Sequence, residues 1–222
     1  MAVARLTNLE ADLRALGVIP VVALDRVEDA LPLVDALSEG GLACAEITFR
    51  TAAAAGAIAL VRAHRPEVLV GAGTILTTAQ ADAAIEAGAA FLVAPGFNAV
   101  VVDHALARAI PIIPGVCTPS EIEHALAREI WLLKLFPAGP IGGIPYLKAL
   151  TGPYPMVRFV PTGGVTIANL AEYLAVPTVV ACGGSWLAKA DLVRAGDFDA
   201  IAALAGDAVA VARGVRGVEV GA

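Results

Sequence analysis

Lys134 lies in the run Trp131-Leu132-Leu133-Lys134-Leu135-Phe136-Pro137, and an ammonium inside so apolar a segment has to be compensated or neutralised. A desolvated amine sheds its proton more readily, and the neutral amine is the form that attacks a carbonyl. An unperturbed lysine is neutral at pH 7 only about once in a few thousand molecules. The chemistry this placement offers is capture of a ketone as a Schiff base. The other lysines, Lys148 and Lys189, stand in stretches that read as solvated helix. A structural lysine, its stem packed and its head paired with a carboxylate, is the alternative reading of the same strand.

Schiff-base chemistry needs an acid-base group that removes water from the carbinolamine and then moves the proton at the adjacent carbon. In Cys44-Ala45-Glu46-Ile47-Thr48-Phe49-Arg50, a period of two puts Glu46, Thr48 and Arg50 on one face and Ile47 and Phe49 on the other. A carboxylate beside a guanidinium points to a lumen that meets solvent or substrate, with Glu46 relaying protons and Arg50 holding a carboxylate. A Glu46 ion pair with Lys134 or Arg50 that only satisfies buried charge fits the same residues, and pairing and catalysis can coexist.

Gly71-Ala72-Gly73-Thr74 and Ala94-Pro95-Gly96 place small groups or a hydroxyl where a substrate approaches backbone closely; Thr74 reads as a hydrogen-bond donor or as a helix cap. Pro161-Thr162-Gly163-Gly164 and Ala181-Cys182-Gly183-Gly184-Ser185 read as phosphate loops, each leading into a helix whose N-terminal N–H groups favour a dianion.

These residues end short Val- and Ile-rich runs that alternate with Ala- and Leu-rich stretches of helical period, the pattern of βα units on a parallel sheet. Eight runs are expected as strands: Val18 to Leu24, Cys44 to Phe49, Leu69 to Gly73, Phe91 to Pro95, Ile110 to Pro114, Leu132 to Phe136, Arg158 to Thr162 and Thr178 to Gly183. Their even spacing implies closure into an α/β (β/α)8 TIM barrel, one domain over 1–222, whose strand C-termini build the site. An open dinucleotide-binding sheet would place a Gly-x-Gly-x-x-Gly turn after its first strand, where Asp25-Arg26-Val27-Glu28-Asp29 stands instead. A short N-terminal helix, Leu9 to Leu16, capped by Thr7 or Asn8 and ended by Gly17, is expected to cover the barrel's bottom.

The composition narrows the function classes. Mean hydropathy is +0.77, yet alanine is the commonest apolar residue and the apolar stretches are broken by Gly, Pro and charge, so no membrane span is expected. A net charge of −6 with scattered arginines argues against a nucleic-acid surface. The N-terminus lacks the apolar stretch of a signal peptide, which makes the cytoplasm the expected compartment. Cys44, Cys117 and Cys182 lack zinc-type spacing and read as reduced, buried small hydrophobes. His64, His104 and His124 sit far apart in helix-like stretches, so neither a metal nor any other cofactor is expected.

Taken together, the segments Glu46-Ile47-Thr48-Phe49-Arg50-Thr51, Val70-Gly71-Ala72-Gly73-Thr74, Pro114-Gly115-Val116-Cys117-Thr118-Pro119-Ser120-Glu121, Lys134-Leu135-Phe136-Pro137-Ala138, Arg158-Phe159-Val160-Pro161-Thr162-Gly163-Gly164 and Ala181-Cys182-Gly183-Gly184-Ser185-Trp186 closely resemble the 2-keto-3-deoxy-6-phosphogluconate (KDPG) aldolases, including those that also cleave 4-hydroxy-2-ketoglutarate (KHG). The resemblance implies a metal-independent lyase of carbohydrate metabolism, in the Entner-Doudoroff pathway, with Lys134 forming the Schiff base with pyruvate and Glu46 as the proton-transferring base. By the same resemblance Arg50 and Thr74 engage the pyruvyl carboxylate, Pro95 and Phe136 shape that pocket, and Thr162 orients the aldehyde partner. Gly163, Gly164, Gly183, Gly184 and Ser185 match the phosphate site, and a homotrimer is implied. One departure is visible: Gly139 stands where an acidic residue is expected after Phe-Pro-Ala. Other readings are cleavage of the galactonate stereoisomer, a phosphate-binding barrel isomerase or synthase, which would need no lysine at position 134, and a barrel that only binds sugar phosphates.

Overall fold

β-Branched runs too short for helices, separated by alanine-rich segments, give strands that alternate with helices along the whole chain. The structure, a computed structural model, describes residues 2–217; residue 1 and residues 218–222 of the expected 1–222 domain lie outside the described residues. The first half comprises α1 (Ala2–Leu16), β1 (Val18–Val22), a 3-10 turn (Val27–Asp29), α2 (Ala30–Glu39), β2 (Cys44–Thr48), α3 (Ala54–His64), β3 (Leu69–Gly73), α4 (Thr78–Glu86), β4 (Leu92–Val93), α5 (Ala99–Ala107) and β5 (Ile112–Ile113). There follow β6 (Gly115–Val116), α6 (Pro119–Leu126), β7 (Leu132–Leu135), α7 (Gly143–Thr151), β8 (Arg158–Pro161), α8 (Ile167–Leu174), β9 (Cys182–Gly184), α9 (Ala190–Ala195) and α10 (Phe198–Arg216).

All pairings between these strands are parallel. One ladder runs β5-β4-β3-β2-β1-β9 and another β6-β7-β8. Two parallel bridges, Phe159 to Val179 and Thr162 to Gly183, join β8 to the β9 segment, so the sheet curls round on itself as a (β/α)8-type barrel. The run expected as strand five, Ile110 to Pro114, is a strand only over Ile112–Ile113, and a second short strand follows just beyond its expected end. Pro114 has no N–H to continue the ladder, and on either side of it Ile112–Ile113 pairs with β4 while Gly115–Val116 pairs with β7. The Pro114 carbonyl is still used, accepting from Lys134 N at 3.0 Å.

Because strand side chains alternate, the barrel has two cores. Ala45 and Ile47 of β2 pack outward among the helices, whereas Cys44 joins Ile19, Phe91, Ile113, Leu132 and Val160 inside. Leu6, Leu9 and Leu13 of α1 belong to that inner cluster. The N-terminal helix is longer than expected: Thr7 and Asn8 lie within α1 rather than capping it, since an apolar stripe at helical spacing outweighs their weak helix preference. Gly17 does end it, at φ 76, with its N–H on the Leu13 carbonyl at 2.9 Å. Glu10 of α1 accepts from Trp131 Nε1 at 3.1 Å and lies 3.5 Å from Arg158 Nε. Both partners stand at the N-terminal ends of their strands, so α1 covers the bottom.

Cys44 and Cys182 are fully buried, and burial pushes both thiols well above their ordinary range. Cys117 departs from the expectation of three core cysteines: it is half-buried, in the loop between β6 and α6. No helix among the described residues is long and apolar enough to cross a membrane.

Leu13 has no exposed surface, and truncating it opens a cavity at the base of the inner cluster. Leu13→Ala is expected to lower stability by about 2 to 5 kcal/mol, read as a fall in the urea midpoint with little change in slope.

Candidate active site

Above the inner apolar cluster the same inward-facing positions turn polar. Lys134 of β7 and Glu46 of β2, 88 residues apart, meet with Nζ 3.2 Å from Oε1, their side chains only 7% and 3% exposed. Such a pair is held by the sheet rather than by solvent, because each charge removed from water costs several kcal/mol unless partnered. The ring of Phe136 stands with its centroid 5.5 Å from Lys134 Nζ, within reach of a cation–π contact.

The glycines around this pair make room for the protein's own atoms, where the sequence pointed to room for a substrate. A Cβ on Gly73 would fall 2.2 Å from Glu46 Oε1, and one on Gly71 would enter the Phe91 ring at 2.3 Å. Gly115, opposite Lys134 in register, meets the Pro95 carbonyl: a Cβ there would lie 2.2 Å from its oxygen. Half-buried Pro95 thus belongs to the wall beside the lysine strand.

Thr48 and Arg50 share the face with Glu46, as their spacing predicted. Thr48 Oγ1 donates to the Val22 carbonyl at 2.8 Å and accepts from Arg50 Nε at 3.1 Å. Arg50 is exposed just past the end of β2 and makes no ion pair among the described residues, so the partner of Glu46 is Lys134 and not Arg50. Thr74 caps no helix; Thr77 does, accepting from Gln80 N at 3.1 Å. Thr74 instead holds φ 59, a left-handed conformation that is strained for a β-branched residue by roughly 1 to 3 kcal/mol and that clusters at functional sites.

The two glycine pairs turn out to differ. Gly163 and Gly164 sit at φ 85 and 88, which only glycine adopts freely, and α8 begins three residues on. Gly183 and Gly184 lie inside β9, outside the left-handed region, and yield space to neighbours. A Cβ on Gly183 would stand 2.2 Å from Thr162 Oγ1, and one on Gly184 would stand 2.4 Å from the Trp186 ring. Exposed Ser185 follows, but α9 starts only at Ala190, because buried Leu187 and Ala188 first draw the chain back onto the core. The expectation of a helix directly after both pairs therefore holds for the first pair alone.

Several residues near the mouth escaped sequence reasoning. Gly139, noted there only as a departure, donates its N–H to the Gly163 carbonyl at 2.7 Å. A Cβ at position 139 would stand 3.1 Å from Gly164 Cα. Tyr146 Oη of α7 donates to the Cys117 carbonyl at 2.6 Å, pinning the loop after β6. Asn169 binds the loop after β8. A Tyr or Asn within a helical run carries no local sign of such contacts.

His64, His104 and His124 lie on α3, α5 and α6, and among the described residues no three His, Cys, Asp or Glu gather as a metal site. The broad surface clefts lie elsewhere. One of about 460 Å³ near α1 is lined by Asn8, Asp12, Arg62 and Arg108 and contains no nucleophile paired with a base.

Comparison with known proteins places the chain in a family. The model of the aldolase family described as KDPG and KHG aldolase matches residues 9–204. The 2-dehydro-3-deoxy-phosphogluconate aldolase of Treponema pallidum is 54% identical over 199 residues, covering 90% of this chain and 94% of that protein. The KHG/KDPG aldolase of Escherichia coli K12 is 41% identical over 203 residues, 91% and 95% of the two chains. A crystal structure of KDPG aldolase from Legionella pneumophila, with pyruvate captured as a covalent carbinolamine intermediate, overlays with a TM-score of 0.86 at 39% identity, over 89% of this chain and 96% of that one. Similarity of this extent makes the protein a member of the KDPG and KHG aldolase family.

Proposed function

We infer that this enzyme is a class I aldehyde-lyase that cleaves 2-dehydro-3-deoxy-6-phosphogluconate to pyruvate and glyceraldehyde 3-phosphate. The observation that carries the reading is the buried contact of 3.2 Å between Lys134 Nζ and Glu46 Oε1, an amine whose one ion-pair partner among the described residues is a proton acceptor. The names of the relatives, and the pyruvate carbinolamine in the Legionella structure, support it.

The neutral amine of Lys134 adds to the C2 carbonyl, and Glu46 shuttles the proton that lets the carbinolamine lose water to an iminium. The C4 hydroxyl proton then passes to Glu46 as the C3–C4 bond breaks. Its electrons move onto the iminium nitrogen, the aldehyde leaves and an enamine remains. Glu46 returns the proton to C3, and water hydrolyses the imine to free pyruvate and restore the amine. Arg50 and Thr74 hold the pyruvyl carboxylate, Pro95 and Phe136 wall the pocket, and Thr162 orients the aldehyde. Gly163, Gly164, Gly183, Gly184 and Ser185 receive the phosphate, the first pair through exposed backbone.

4-Hydroxy-2-oxoglutarate is a second substrate in this reading, supported by the combined name of the Escherichia coli relative. The galactonate stereoisomer is the less supported choice. A KDPGal structure overlays at a TM-score of 0.82 with only 26% identity. A single catalytic domain, a cytoplasmic homotrimer and a place in the Entner-Doudoroff pathway complete the proposal, on the family resemblance.

Borohydride added with pyruvate is expected to inactivate the wild type and leave one covalent adduct on Lys134, seen by mass spectrometry; an equal yield on Lys134→Ala would refute the nucleophile. Glu46→Gln keeps the shape of the side chain but not its basicity, and kcat in a lactate-dehydrogenase-coupled assay should fall about 10²- to 10⁴-fold. Gly73→Ala changes neither catalytic residue yet displaces the Glu46 carboxylate. It is expected to lower kcat by about ten- to a hundredfold with the fold retained by circular dichroism.

A further inference from the structure

The loop after β8 holds two peptide planes whose carbonyls are both committed. The Gly163 carbonyl accepts from Gly139 N at 2.7 Å, and the Gly164 carbonyl accepts from Asn169 Nδ2 at 3.0 Å. Asn169 Oδ1 in turn accepts from Thr166 N at 2.8 Å, so its two partners, one acceptor and one donor, fix which way the amide faces. In a trans peptide the C=O and the following N–H point in opposite directions. Fixing these two carbonyls therefore aims the N–H groups of Gly164 and Val165 away from Gly139 and Asn169. Neither of those N–H groups donates to a backbone acceptor among the described residues. Val165 is buried and anchors the loop from below, while Gly164 is exposed.

We propose that Asn169, in the first turn of α8, is a positioning residue for the distal phosphate: it locks the Gly164–Val165 peptide so that its N–H faces the anion. The proposal rests on the aldolase reading above and adds to it a residue outside the barrel mouth. Asn169 touches no reacting atom. Its amide does two separable things, capping α8 through the oxygen and turning the peptide through the nitrogen.

The substitutions Asn169→Asp and Asn169→Ala separate those two. Asp keeps the acceptor for Thr166 N–H but loses the donor and sets a negative charge against the Gly164 carbonyl. Ala loses the cap and adds no charge. The readouts are the thermal midpoint and the kcat/KM for condensing pyruvate with D-glyceraldehyde 3-phosphate and with unphosphorylated D-glyceraldehyde. The expected result is a crossed order: Ala lowers the midpoint more than Asp does, while Asp lowers the preference for the phosphorylated aldehyde more, by about tenfold or beyond and through KM rather than kcat. A loss shared equally by both aldehydes, a loss that follows the midpoint, or an unchanged preference in Asn169→Asp overturns the proposal. So does a wild type that is trapped by pyruvate and borohydride yet shows no preference for the phosphorylated aldehyde. A wild type that pyruvate and borohydride fail to trap overturns the aldolase reading itself and this proposal with it.

Discussion

Two opposite charges, Lys134 and Glu46, share a space from which water is almost excluded, and much of the barrel's upper half is arranged to tolerate them. Neither survives there alone, since removing one partner strands the other in a poor dielectric. The constraint spreads outward through volume. The carboxylate occupies the space a side chain at Gly73 would fill, and beside the lysine strand Gly115 lets the Pro95 backbone close in. Glycines that read as absences in the sequence are thus the complement of atoms on neighbouring strands and loops.

This dependence also explains which parts are legible in the sequence alone. Lys134 stood out because a charge in an apolar run is conspicuous by itself, and Glu46 because a period of two sorts a strand without knowledge of its neighbours. The strand positions followed from the same short-range pattern, and Leu69–Gly73 appears with the limits expected for it. What could not be read was set by contacts across the sheet. The sequence showed Gly71 and Gly73 as small but not what fills the space, because Phe91 and Glu46 arrive from other strands. Gly183 closes the expected eighth strand, but Gly184, read with it as a phosphate loop, is also strand, because the ladder to β1 continues through it.

Two misjudged boundaries have equally physical causes. The fifth run is expected to end at Pro114, but strand pairing resumes beyond it: Pro114 withholds an N–H and the ladder changes partner across it. The N-terminal helix was expected to begin after Thr7 and Asn8, both good caps, yet Leu6, Leu9 and Leu13 had an inner cluster to fill and the helix extends past the caps. Local preference lost to burial. At Thr74 it lost again, to a left-handed backbone at the end of β3.

The plug formed by α1 has a kinetic meaning. With Leu6, Leu9 and Leu13 stoppering the end where the strands begin, the barrel is a well closed at that end. On the aldolase reading, whatever is tethered to Lys134 sits at the floor of that well, while Gly164 lies at its exposed rim. On that same reading the keto acid lies beneath the phosphorylated fragment, so the order is last in, first out: the fragment departs first, and in the synthetic direction the keto acid is seated before the aldehyde arrives.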